Sequence, residues 1–131
     1  MSRIWCLKEG KQSIINDDRA IIRKRAGIFY IYGTPWYGSY SEEFTDLSDR
    51  VERVRLSKIF FIYHREHNRA ERIPLFELSS SFLRTVFASF WDQRCVMFSV
   101  DFLLKVVSGV SAYKLGFKDN DKIISYIRKL K

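Results

Sequence analysis

Ile59-Phe60-Phe61-Ile62, inside the run from Val54 to Tyr63, is apolar at every position. A half-exposed strand alternates apolar and polar residues, whereas four consecutive large apolar residues suit a strand covered on both faces. The chain therefore has to supply material for two sides of a sheet. Its second half has the means. Behind Pro74, a residue suited to a first helical turn, Leu75, Leu78, Phe82, Val86 and Phe90 recur every three or four positions and predict one helix. Ser99 is positioned to cap a second helix carrying Leu103, Val106, Val107 and Val110, with Gly109 at its end. Asp119-Asn120-Asp121 caps a last helix through Ile123, Ile127 and Leu130, where Arg128 and Lys129 suit the C-terminal dipole.

Strands fill the rest. Ser13 to Ile15 is a short apolar step into Asn16-Asp17-Asp18, and residues 20–32 read as a hairpin turning at Arg25-Ala26-Gly27. Residues 33–50 form a long polar loop, of a length that compact domains keep for function or mobility. His64 to Asn68 is a polar turn, Arg69 to Ile73 a return strand, and Ala112 to Phe117 a further short strand. The expected fold class is mixed α/β: a mostly antiparallel or mixed sheet of five to six strands with about three helices, in a single domain spanning 1–131.

With 131 residues, 47% apolar and 29% charged, the chain has enough apolar material for a proper core. No run approaches the roughly 20 apolar residues of a membrane-spanning helix, and the first residues lack a secretory pattern, so a cytoplasmic location is expected. Two cysteines, Cys6 and Cys95, are too few for a disulfide scaffold and are expected to be buried thiols. The eleven Phe are expected mostly in the core. A net charge of +8 and a pI near 9.7 favour an acidic partner: nucleic acid, a nucleotide's phosphates or an acidic protein. The basic residues are scattered, with small clusters at Arg23-Lys24-Arg25 and Arg128-Lys129-Lys131, so a solvated surface is the alternative.

Two segments carry residue types fit for chemistry. Asn16-Asp17-Asp18 places adjacent carboxylates at a strand end, which suits a Mg²⁺ ligand or a general base; the alternative is an acidic turn. Gly33-Thr34-Pro35-Trp36-Tyr37-Gly38 is an aromatic-bearing loop whose glycines allow close backbone approach, either lining a pocket or folding its Trp over the core. His64 and His67 lack a third partner and are not expected to bind metal. Ser79-Ser80-Ser81 fits an exposed helix face. Gly10-Lys11-Gln12-Ser13 approaches a phosphate-binding loop, but Trp5 stands at the first glycine position and Gln12 where Ser or Thr is required.

In their order along the chain, several segments resemble the C-terminal half of HPr kinase/phosphorylase-related proteins, of the phosphoenolpyruvate carboxykinase-like nucleotide-binding superfamily. The resemblance spans residues 14–128. It rests on Ile15-Asn16-Asp17-Asp18-Arg19-Ala20-Ile21-Ile22-Arg23, Tyr32-Gly33-Thr34-Pro35-Trp36-Tyr37-Gly38 and Leu56-Ser57-Lys58-Ile59-Phe60-Phe61-Ile62. Asn68, Phe90-Trp91-Asp92, Tyr113-Lys114-Leu115-Gly116-Phe117 and Ile123-Ile124-Ser125-Tyr126-Ile127 follow. The resemblance implies a partial fold of that kind and an ATP-dependent serine kinase ancestry. It gives Asp17 and Asp18 the Mg²⁺-holding and hydroxyl-activating roles, and brings Arg19, Arg23, Thr34 and Trp36 to the nucleotide. Such kinases carry a glycine-rich phosphate loop upstream of the acid pair, and only sixteen residues precede Asp17, without one. The resemblance thus implies a truncated or degenerate chain, inactive alone, with either a homodimer that buries the apolar sheet edges left without the upstream half or a partner chain that carries the phosphate loop. The second expectation is a basic binding module for nucleic acid or an acidic protein.

Overall fold

The computed structural model describes residues 5, 8–10, 14–36, 53–87, 89–118 and 120–130. Among them are six strands and three helices: β1 (Ile21–Arg25), β2 (Ile28–Tyr32), β3 (Arg53–Arg55), β4 (Lys58–His64), β5 (Arg69–Arg72), α1 (Leu75–Leu83), α2 (Gln93–Gly109), β6 (Ser111–Phe117) and α3 (Lys122–Lys129). The chain is mixed α/β, with its strands in two three-stranded sheets ordered β1-β2-β3 and β4-β6-β5.

The expected single sheet divides within Val54 to Tyr63, which the apolar pattern presents as one strand. Residues Leu56 and Ser57 interrupt it: the Leu56 amide still donates to the Phe29 carbonyl of the first sheet at 2.9 Å, but the strand of that sheet ends at Arg55 and Lys58 begins the other. Neither Pro nor Gly marks the break. The chain clusters into two units: Met1–Leu56 with His64–Asn68 and Phe117–Lys131, and Ser57–Tyr63 with Arg69–Gly116.

In the first unit, β1 and β2 pair antiparallel with Arg25 opposite Ile28, leaving Ala26-Gly27 as a two-residue turn. Both have positive φ, 46° and 81°, which matches the right-handed strand twist and suits Gly27 better than Ala26. Phe29 on β2, Phe117, Ile123 and Ile124 are buried. Asn120 Oδ1 accepts from the Lys122 amide at 3.1 Å, capping the start of α3 through the middle residue of the expected Asp-Asn-Asp trio. Lys8 binds Asp121 at 2.7 Å and holds its carboxyl below the ordinary value. Arg128, in the last turn of α3, binds Glu9.

In the second unit, β6 lies between β4 and β5, pairing antiparallel with β5. Phe60 stacks on Tyr113, and Phe61 meets Phe82 of α1 edge-on. Glu77 of α1 binds Lys114 of β6 and raises the lysine's pKa through that hydrogen bond. The core here is Ile73, Leu78, Phe82, Leu103, Val106, Val107, Val110, Ala112 and Leu115.

Three sequence expectations need correction here. The helix behind Pro74 stops at Leu83 instead of running to Phe90, with Arg84 and Thr85 turning on the Phe82 carbonyl. Helix α2 begins at Gln93, not after Ser99: Asp92 caps it by accepting from the Arg94 amide at 2.9 Å, and Ser99 Oγ donates back to the Cys95 carbonyl inside the helix. Cys95 is exposed, because it falls outside the face of α2 that turns inward, and Cys6 lies outside the described residues.

Candidate functional site

The first unit brings together the two segments that the sequence singled out. Asn16 opens the acid turn, and its Oδ1 accepts from the Asp18 amide at 2.8 Å, a local Asx bond that fixes the turn. Its Nδ2 reaches eighteen to twenty residues along the chain, donating to the carbonyls of Thr34 and Trp36, each at 3.0 Å, and to Thr34 Oγ1 at 3.3 Å. One amide therefore ties the acid turn to the loop after β2.

Thr34 completes the clasp. It is the one buried polar residue among those described, 7% exposed, and its hydroxyl donates to the Arg19 carbonyl at 2.6 Å. Gly33 explains the tight fit. A Cβ there would stand 3.1 Å from both the Ile15 carbonyl oxygen and Ile15 Cγ2, closer than side chains ordinarily approach. The backbone of 15–19 thus lies directly against that of 33–36. The segment Ser13 to Ile15, expected as a strand step, is irregular over its described residues Ile14 and Ile15.

Asp17 is half-buried and Asp18 exposed, with Arg19 Nε 3.7 Å from Asp18 Oδ2. Trp36 is 56% exposed beside the clasp. Arg23 stands on β1 with its guanidinium 5.5 Å from the centre of the Tyr32 ring. Tyr37 to Arg50, the remainder of the long loop, lie outside the described residues. The Tyr32 hydroxyl is buried with no hydrogen-bond partner among the described residues, so a donor at the root of this loop stands unsatisfied.

The donor set is oxygen only. Among the described residues no three His, Cys, Asp or Glu gather as metal ligands, His64 and His67 included. Two adjacent carboxylates fit Mg²⁺, which takes one or two protein carboxylates and completes its shell with water and phosphate oxygens. The nucleotide's phosphates are a different matter: the 131 residues contain no Gly-x-x-x-x-Gly-Lys-Ser/Thr run to cradle them.

A second feature is not legible as a linear motif. Residues opposite one another in a sheet share a face. The register sets Arg23 opposite Tyr30 and Tyr30 opposite Arg55; Ile21 opposite Tyr32 and Tyr32 opposite Arg53; Arg25 opposite Ile28. One face of the first sheet thus carries Arg23, Arg25, Arg53, Arg55, Tyr30 and Tyr32, with no acidic residue. Arg53 lies 5.3 Å from the centre of the Tyr30 ring, and all four arginines are exposed. Arg53 and Arg55 follow the long loop in sequence, so only the strand pairing reveals the cluster.

Compared with known proteins, the chain matches no family model, no curated protein and no solved structure. No helix among the described residues is long and apolar enough to cross a membrane.

Proposed function

We propose that this chain carries the acidic half of an ATP- and Mg²⁺-dependent phosphoryl-transfer site, of the serine-kinase type its sequence resembles. The phosphate cradle comes from elsewhere, and the chain is inactive alone, serving as a regulatory or split-enzyme subunit. The observation that carries this is the Asn16 clasp, which makes one structural unit of the acid turn and the Gly33–Trp36 loop.

Phosphoryl transfer asks a protein mainly for positioning and charge compensation. Mg²⁺ held at Asp17 and Asp18 would neutralise phosphate charge. The chain's own residues then have four tasks. A carboxylate of the acid pair accepts the proton of the attacking serine hydroxyl. Asn16 holds that carboxylate's backbone in place, and Arg19 offers positive charge at the edge of the site. Trp36 presents an exposed ring against which a base or acceptor side chain can lie. The test is whether a paramagnetic Mn²⁺–ATP probe finds residues 16–18 and 34–36 and loses them when both acids become amides.

A second function is favoured by the arginine–tyrosine face. Phosphates release counterions to arginine and bases stack on aromatic rings, so this face suits single-stranded nucleic acid. Fluorescence anisotropy with oligothymidylate is expected to show binding that weakens steeply with salt. Replacing both Arg23 and Arg55 by Ala is expected to lower the logarithmic salt slope by about 1.4, at about 0.7 for each phosphate that the variant leaves unneutralised. No binding at low salt removes this function, and equal competition by a poly-glutamate peptide reassigns the face to an acidic protein.

A further inference from the structure

Helix α2 has two faces of opposite purpose. Leu103, Val106, Val107 and Val110 line the buried side. Arg94, Met97, Phe98, Asp101, Leu104 and Lys105 recur at spacings of three and four on the other side, and all are exposed. A solvated face is polar, yet Met97 is 65% and Phe98 69% exposed. Just before the helix, Phe87, Phe90 and Trp91 are 87%, 68% and 85% exposed. Phe87 and Phe98 also wall an open groove of 530 Å³ at the head of the helix. Isolated apolar residues on a surface are ordinary, but five exposed large apolar side chains within residues 87–98, two of them walling one groove, mark an interface.

We propose that this face pairs with the same face of a second copy of the chain, the two α2 helices running antiparallel about a twofold axis between Met97 and Phe98. In a twofold contact each residue meets a partner that meets it in return. An axis at that point sets Met97 against the partner subunit's Phe98, and Arg94 against the partner subunit's Asp101. Leu104, 46% exposed, extends the apolar strip beyond Asp101. The axis repeats each contact, giving two arginine–carboxylate pairs that flank an apolar strip. Asp101 already accepts from Lys105 at 2.5 Å through Oδ2, leaving its other oxygen for the guanidinium, and Arg94, which binds Asp92 at 3.3 Å within its own chain, shares its fork between Asp92 and the partner. A slide that brings Arg94 opposite Lys105 sets like charges together, so the charges select one register. Scaled by their fractional exposures, the six exposed apolar side chains offer roughly 800 Å² at about 200 Å² for a fully exposed large side chain, about what one partner contributes to a standard interface.

This pairing does not rest on the nucleotide site. Sedimentation equilibrium from about 1 to 200 µM is expected to show a dimer with micromolar dissociation. Arg94→Asp and Asp101→Arg should each weaken it at least about tenfold, and the double variant should restore it, since the exchanged charges again meet their opposites across the axis. Met97→Glu, independent of the ion pairs, should also give monomer, with circular dichroism confirming the fold of each variant. A monomer at every concentration, a dimer indifferent to the single substitutions, or a double variant no stronger than the singles overturns the proposal.

Discussion

Asn16→Ala is expected to lower the unfolding free energy by about 3 kcal/mol in urea denaturation, a large effect for a half-buried polar residue. The side chain makes four hydrogen bonds, three to Thr34 and Trp36 and one from the Asp18 amide. Each is worth about 1 kcal/mol net, and alanine also leaves the Thr34 carbonyl without this donor beside a residue that is 7% exposed. Asn16→Asp sharpens the test. It keeps the acceptor for the Asp18 amide, but replaces the donor with a carboxylate oxygen facing two carbonyls, so it should cost at least as much as alanine despite its similar shape. A loss below about 0.5 kcal/mol for both substitutions would mean that the clasp does not hold the acid turn.

The other large effect lies in the second unit. Leu115→Ala is expected to cost about 3–4 kcal/mol, read from the same denaturation curves. Leu115 has no exposed surface and sits on β6, the middle strand of its sheet, paired with Ala70 on β5. A middle strand is held from both sides and cannot close over the cavity, so most of the lost volume stays empty. A cost below about 1.5 kcal/mol would show that the sheet collapses around the smaller side chain.

The hairpin and the final helix are legible in the sequence because their signals are local: a Gly stands where φ must be positive, and an Asn stands at a helix start. The apolar run Ile59 to Ile62 does form a strand, but its expected place as a central strand covered on both faces is wrong: among the described residues β4 is an edge strand beside β6, and Ile62 is 52% exposed. The break at Leu56-Ser57 is not legible, because no turn residue marks it and the pairing that keeps Leu56 with Phe29 on the first sheet spans 27 residues. The helix after Pro74 keeps its apolar period past its true end. Phe90 continues the spacing from Phe82, yet the chain turns at Arg84 and leaves that ring 68% exposed. The phenylalanines depart from a core assignment for the same reason, since composition says nothing of which way each one faces. Phe76, Phe87, Phe90 and Phe98 are all exposed, while Phe29, Phe82 and Phe117 are buried.

The candidate site is half legible. Two carboxylates beside an asparagine and a glycine–threonine pair each stand out as fragments. That one Asn16 amide joins them depends on a contact spanning eighteen residues, and neither spacing nor composition carries such information. The arginine–tyrosine face is a stronger case of the same kind. Its members come from three strands, and only the register of β2 against β1 and β3 gathers them.

The most direct test of the nucleotide site is amide NMR of the chain with Mn²⁺ and ATP, read as distance-dependent broadening. The expected result is broadening centred on Asp17 and Asp18 and reaching Thr34 and Trp36, abolished when Asp17→Asn and Asp18→Asn are combined while the rest of the spectrum stays folded. Broadening centred elsewhere, or unchanged in the double variant, would contradict the assignment of Asp17 and Asp18 as the acid half of a phosphoryl-transfer site.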